Sequence, residues 1–246
     1  MNTKVVNFDN QYYKAVSSLT TNTTSHLCDR SRVGNDHKLV NNLSRAKSKI
    51  FELALCNKWD YFVTLTFDST KCNRESYNDT VLRLCRGIAY YNKNYSANIR
   101  YLLVPEYHSD GRSLHIHGFF SGITRFLTKN VHGHLTWKYY NNNFGFVNFV
   151  CLVQKNKVDR VKIAKYIVKY ITKNETCSPL LRHSYYRSRD LKNASVTIIP
   201  DVVIFPSVST YQNSTTIIYD SYDVIPLDIF CPVHQLKRYK NSIIPS

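Results

Sequence analysis

The 246-residue chain is poor in acidic side chains: 17 Asp and Glu stand against 33 Lys and Arg, a formal charge of +16 with a pI near 9.5. So basic a surface calls for a polyanion, of which nucleic acid is the commonest, with a ribosomal or anionic-membrane surface as the alternative. No run of about 18 apolar residues occurs, which excludes a membrane-spanning helix. The opening MNTKVVNFDNQYYKAV lacks the apolar stretch of a signal peptide, so a cytoplasmic protein is expected. The seven cysteines include no C-x-x-C pair, which argues against a zinc ribbon or a disulfide scaffold and for reduced thiols.

What is present is enough for a core. Hydrophobic residues make up 43 % of the chain, and 19 Tyr with 12 Phe supply rings for the interior and for stacking on bases. Residues 1–44, with their Thr/Ser/Asn-rich SSLTTNTTSH, show little periodicity and predict a loose, partly flexible extension. From Asn42, LSRAKSKIFELALCNKW repeats Leu43, Ala46, Ile50, Leu53 and Ala54 at helical spacing. YFVTLTFD alternates Val63, Leu65 and Phe67 with Thr64 and Thr66, the two-residue period of a strand. TVLRLCRGIAYYNKN predicts a second helix, and IRYLLVPEYH and LHIHGFFSG, joined by SDGR, predict a hairpin. WKYYNNNFGFVNFVCLV reads as further strand, KVDRVKIAKYIVKYITKN as a helix, and residues beyond about Cys177 as β-rich. Strands and helices intermixed through hairpins predict an α+β fold with a central antiparallel sheet flanked by helices.

In that hairpin His115 and His117, two apart on a strand, project from one face while Ile116 packs on the other. Two neutral imidazoles are half of a divalent-metal site. Glu106, on the preceding strand, comes across near them, and a carboxylate beside two histidines suits Mg²⁺ or Mn²⁺ with open water positions. His108, nearer the turn, is a rival third ligand.

On the last helix, about 100° per residue gathers Lys162, Tyr166, Lys169, Tyr170 and Lys173 on one face. Ala164, Ile167, Val168 and Ile171 gather opposite and are expected to pack on the sheet. Tyr166 and Tyr170, four apart, are neighbours on successive turns, each with a lysine three residues on. A phenol of pKa about 10 attacks nothing unaided at neutral pH, but beside ammonium groups and a metal-held phosphate it becomes a nucleophile toward phosphorus.

Phe62-Val-Thr-Leu-Thr-Phe67, His115-Ile-His117 and Tyr166-Ile-Val-Lys-Tyr170-Ile-Thr-Lys173, in this order, resemble the three motifs of the HUH endonucleases. These initiate replication of rolling-circle plasmids and single-stranded DNA phages, and the paired tyrosines resemble their two-tyrosine branch. The likeness runs from about Ser44 to Lys173 and implies a catalytic domain over residues 45–185, with residues 186–246 a β-rich extension of unknown role. It implies nicking of single-stranded origin DNA through a 5′-phosphotyrosine, with the free 3′-hydroxyl priming synthesis by a DNA polymerase. By position His115 and His117 would be metal ligands, with Glu106 the third. Tyr166 and Tyr170 would be nucleophiles, with Lys169 and Lys173 steadying the phosphate. Arg100, Arg112, Arg125, Lys129 and Lys138 are candidate DNA contacts in or beside these strands and loops. No G-x-x-x-x-G-K-[ST] loop occurs, so unwinding would fall to a separate host helicase. The alternatives are a related transposase or relaxase, a non-catalytic nucleic-acid-binding protein, and a metallohydrolase that activates water at the histidines.

Overall fold

A computed structural model of the chain describes residues 1–19, 35–73, 77–107, 114–173, 183–212, 216–223 and 225–232. The chain opens with strands β1 (Asn2–Phe8) and β2 (Tyr12–Ser18), then helix α1 (Asn35–Cys56), β3 (Tyr61–Phe67) and α2 (Tyr77–Asn94). There follow β4 (Arg100–Tyr107), β5 (Leu114–Ser121), β6 (Leu127–Lys129), β7 (Leu135–Trp137), α3 (Lys138–Asn143), β8 (Gly145–Cys151) and α4 (Lys157–Lys173). The remainder is β9 (Tyr186–Arg187), β10 (Ser195–Pro200), β11 (Val202–Ile204), β12 (Tyr211–Gln212), β13 (Thr216–Ser221) and β14 (Phe230–Pro232). The fold is α+β with antiparallel sheets and four helices, and it divides into a central unit, Asp36–Lys192, and a second unit made from both ends of the chain. No helix among the described residues is long and apolar enough to cross a membrane.

In the central unit five antiparallel strands run in the order β8-β3-β5-β4-β9. The alternation of YFVTLTF is realised: Tyr61, Val63, Leu65 and Phe67 are buried, while Phe62, Thr64 and Thr66 are half-buried on the other face. The buried side joins Val81, Leu84 and Ile88 of α2 and Trp137, Tyr140 and Phe144 in one core cluster. On the opposite face α4 packs against β4 and β5. The expectation that Lys138–Tyr140 extend a strand is corrected: Lys138–Asn143 form a short helix whose buried Tyr140 donates its hydroxyl to the Thr66 carbonyl.

In the second unit one sheet has the order β10-β1-β2-β13-β12, and β11 pairs with β14. Two strands therefore stand where a loose extension was expected at the start of the chain. Their turn carries positive φ at both Asp9 and Asn10, the backbone that a tight right-twisted hairpin requires. The strands are hard to read because their buried positions are partly polar. Thr3 and Ser17 are fully buried and hydrogen-bonded to each other at 2.7 Å.

Between β4 and β5 the strands close over Gly118, where a Cβ would stand 2.3 Å from the Leu102 carbonyl oxygen and 2.8 Å from the Leu103 side chain. Gly118→Ala should therefore destabilise the protein by about 1–3 kcal/mol as backbone is forced aside. Thermal denaturation reads this as a lowered Tm, and an unchanged Tm contradicts the packing described.

Candidate active site

The strand register assembles the site. Thr66 on β3, His115 on β5 and Glu106 on β4 lie in one cross-sheet row, and Thr64, His117 and Val104 in the next. These rows share the face opposite the α2 core, because successive residues of a strand alternate sides. The hydroxyls of Thr64 and Thr66 lie 3.2 Å from His117 Nδ1 and 3.3 Å from His115 Nδ1. A partner at Nδ1 orients each ring and leaves Nε2 as the atom that faces the site. His117 Nε2 and Glu106 Oε2 are 2.7 Å apart, both side chains being largely buried. The hairpin reading thus holds, and Glu106 sits across from His115 while its carboxylate leans diagonally to His117.

The donor set fits a hard divalent cation. Two ligands bound at a right angle about 2.1 Å from one ion stand about 3.0 Å apart, close to the observed Nε2–Oε2 separation. An ion there would replace the proton that now bridges His117 and Glu106. His115 is further off, its ring centroid 6.4 Å from that of His117. Among the described residues no three His, Cys, Asp or Glu side chains are gathered tightly enough to hold an ion, so His115 must close in for all three to coordinate. His108 and Arg112 lie outside the described residues.

Helix α4 brings the tyrosines to this face. The Tyr170 ring stacks on the His117 imidazole, centroids 3.7 Å apart and planes within 11°. Tyr166 meets Tyr170 edge-on at 5.1 Å, and Phe62 lies 5.9 Å from Tyr166 and 6.3 Å from His117. The face expected for Tyr170 is corrected: it turns inward with Ala164, Ile167 and Ile171 and is 6 % exposed, whereas Tyr166 is 48 % exposed. Burial, then the hydrogen bond and charge of Tyr166, then the Glu106 carboxylate push the Tyr170 phenol well above its ordinary value of 10. Lys169 is exposed, and the Lys173 side chain lies outside the described residues.

The other basic candidates are not gathered here. Arg100 pairs with Ser121 at the far end of the hairpin, six residues along β4 and about 20 Å from Glu106. Arg125 and Lys129 follow that same far end, Arg125 lying over the Phe126 ring and donating to the Tyr95 carbonyl. Lys138 begins α3. The sequence reading missed the threonines as histidine partners. The signal was there in Thr64 and Thr66, whose alternation already placed them on the histidines' side of the sheet once β3 and β5 are neighbours.

Residues 60–175, a little under half of the chain, match the family model of the replication-associated protein ORF2, a family of rolling-circle replication initiators. Glu106, both histidines and both tyrosines fall inside the matched region. No curated protein and no solved structure matches the chain.

Tyr170 also makes a pH prediction. Its folded pKa lies above the unfolded value near 10, so its contribution to stability is complete below pH 10 and is lost as pH rises through the folded value. Tyr170→Phe keeps the ring stack and removes the titrating proton. Measured by Tm, the variant should gain on the wild type as pH climbs above about 10; parallel profiles would contradict a buried, protonated phenol.

Proposed function

We propose that the protein initiates rolling-circle replication by metal-dependent, site-specific nicking and joining of single-stranded origin DNA through a 5′-phosphotyrosine. One observation carries this reading: the tyrosines of α4 converge on the histidine pair through the Tyr170–His117 stack. The family match over residues 60–175 supports the replicative role. The resulting enzyme is an endonuclease and strand transferase, with single-stranded DNA as substrate and a separate helicase and polymerase as partners.

In the reaction a tyrosine Oη attacks the scissile phosphorus, the P–O3′ bond breaks, and the 3′ oxygen leaves as a hydroxyl. The phenolic proton passes to solvent, and the 5′ phosphate stays on the tyrosine. Because the phosphotyrosine retains the energy of the broken bond, a later attack by a 3′-hydroxyl rejoins the strand without a nucleotide cofactor. Mg²⁺ or Mn²⁺ held by Glu106, His115 and His117 would neutralise the charge that builds on the non-bridging oxygens. Thr64 and Thr66 keep both imidazoles in one orientation. Tyr166, exposed beside the site, is positioned to attack first. Tyr170, locked in the stack, serves the second transfer once the bound strand displaces it. Lys169, and Lys173 by sequence, would offset the negative charge of the phosphate.

Labelled single strands incubated with the protein and Mn²⁺ should give a band that survives denaturation and is lost with EDTA. Tyr166→Phe should cut initial adduct formation roughly a thousandfold or more, as loss of a nucleophile does. Tyr170→Phe should leave the first adduct and impair joining, and the double variant should form none. A nicked product with no adduct in the wild type would point to activated water and overturn the proposal.

A further inference from the structure

Helix α4 covers only part of the sheet face that carries the histidines, since it packs on β4 and β5. The same face continues outward across β3 to β8, the edge strand, which pairs with β3 alone. By register, Phe146 of β8 extends the row of Thr66 and His115, Asn148 the row of Thr64 and His117, and Val150 the row of Phe62. These three side chains are exposed, Phe146 at 55 % and Val150 at 48 %. A phenylalanine standing in solvent beside an active-site row, where a polar residue would cost nothing, calls for a ligand. Phe146 lies two strands from His115, about 10 Å away, too far to touch the scissile phosphate and near enough for a flanking nucleotide.

We infer that the outer face of β8, with Phe146 at its centre, is a stacking platform for bases of the single strand flanking the scissile phosphate. This rests on the nicking reading for where the phosphate lies. The surroundings favour a single strand. Tyr166 leans over Phe62 on the β3 side of α4, and Lys162 and Lys169, four before and three after it, share its helical face and are exposed. Cations therefore rim the strip on the helix side while an aromatic ring and an aliphatic side chain form its floor. That is the pairing of phosphate attraction with base stacking that sequence-tolerant single-strand sites use. A duplex has its bases stacked and hidden, and would meet only the lysines. Asn148, between the two apolar side chains, can donate to and accept from a base edge and so can lend the platform a preference for particular bases.

The test is fluorescence anisotropy of a labelled, random-sequence single strand with the full chain in EDTA, where no strand is cut. Phe146→Ala should weaken binding about five- to a hundredfold, and Phe146→Tyr, which keeps a stacking ring, should bind as the wild type does. Val131→Ala, at a position 95 % exposed on another loop, is the control and should change nothing. Ultraviolet crosslinking of a bromouracil-substituted strand should attach it to the peptide containing Phe146. Wild-type affinity in Phe146→Ala, or a crosslink mapping only to other peptides, overturns the platform. Adduct formation with Mn²⁺ is read on the same proteins, so the two ideas fail separately. Unchanged binding by Phe146→Ala with a normal adduct sinks the platform alone, while weakened binding with no adduct from any protein sinks nicking and leaves the platform.

Discussion

One contact sets the relation of helix to strand in this site: the face-to-face stack of Tyr170 on His117 at 3.7 Å. A ring pair this close fixes how α4 is rotated about its axis, because Tyr170 can reach His117 only when its side of the helix faces the sheet. With Tyr170 inward, Ala164, Ile167 and Ile171 are buried with it, and Tyr166 is left at the helix margin over Phe62. The difference in environment between two phenols four residues apart thus follows from a single packing decision. The stack also engages the imidazole whose other contacts are Thr64 and Glu106, so every group in the cluster is held by at least one neighbour.

The sheet divides its labour by face. One side, with Val63, Leu65, Ile116 and Phe120 at its centre, is a dry core closed by α2. The other carries Glu106, His115 and His117, with the threonine hydroxyls between the strands as supports. Such a face is costly to leave polar and half-buried unless something binds there, and both imidazoles are satisfied through Nδ1 in a way that leaves Nε2 facing the site. The net charge of +16 acts on a longer scale, drawing a polyanion to the surface without choosing its sequence, and its effect should fade with salt.

Much of this was legible because strand periodicity is a local property. His-Ile-His and Val-Thr-Leu-Thr-Phe each state which residues share a face, and the short hairpin brings Glu106 to the histidines without any long-range guess. The helix was harder. An angular count put Tyr170 with the lysines, but it sits near the boundary of the apolar arc, and the stack on His117, a tertiary contact, decided its side. Lys138–Tyr140 looked like strand from their aromatic content, yet the turn into β8 and the burial of Tyr140 required a helical step. The strands at the start of the chain were hidden for a different reason: Thr3 and Ser17 are buried by pairing with each other, and hydropathy does not register a satisfied hydroxyl. The partnership of each threonine with a histidine needed the β3–β5 register, which no single segment contains.

The central claim is that a cation site on a strand and a phenol on a helix act on one phosphorus atom. Its most direct test is peptide mapping by mass spectrometry after the protein has reacted with a single strand and Mn²⁺ and been digested. The account predicts a 5′-phosphonucleotide on the α4 peptide, on Tyr166 in the first turnover. A modified tyrosine or serine on any other element, with the α4 tyrosines untouched, would contradict it.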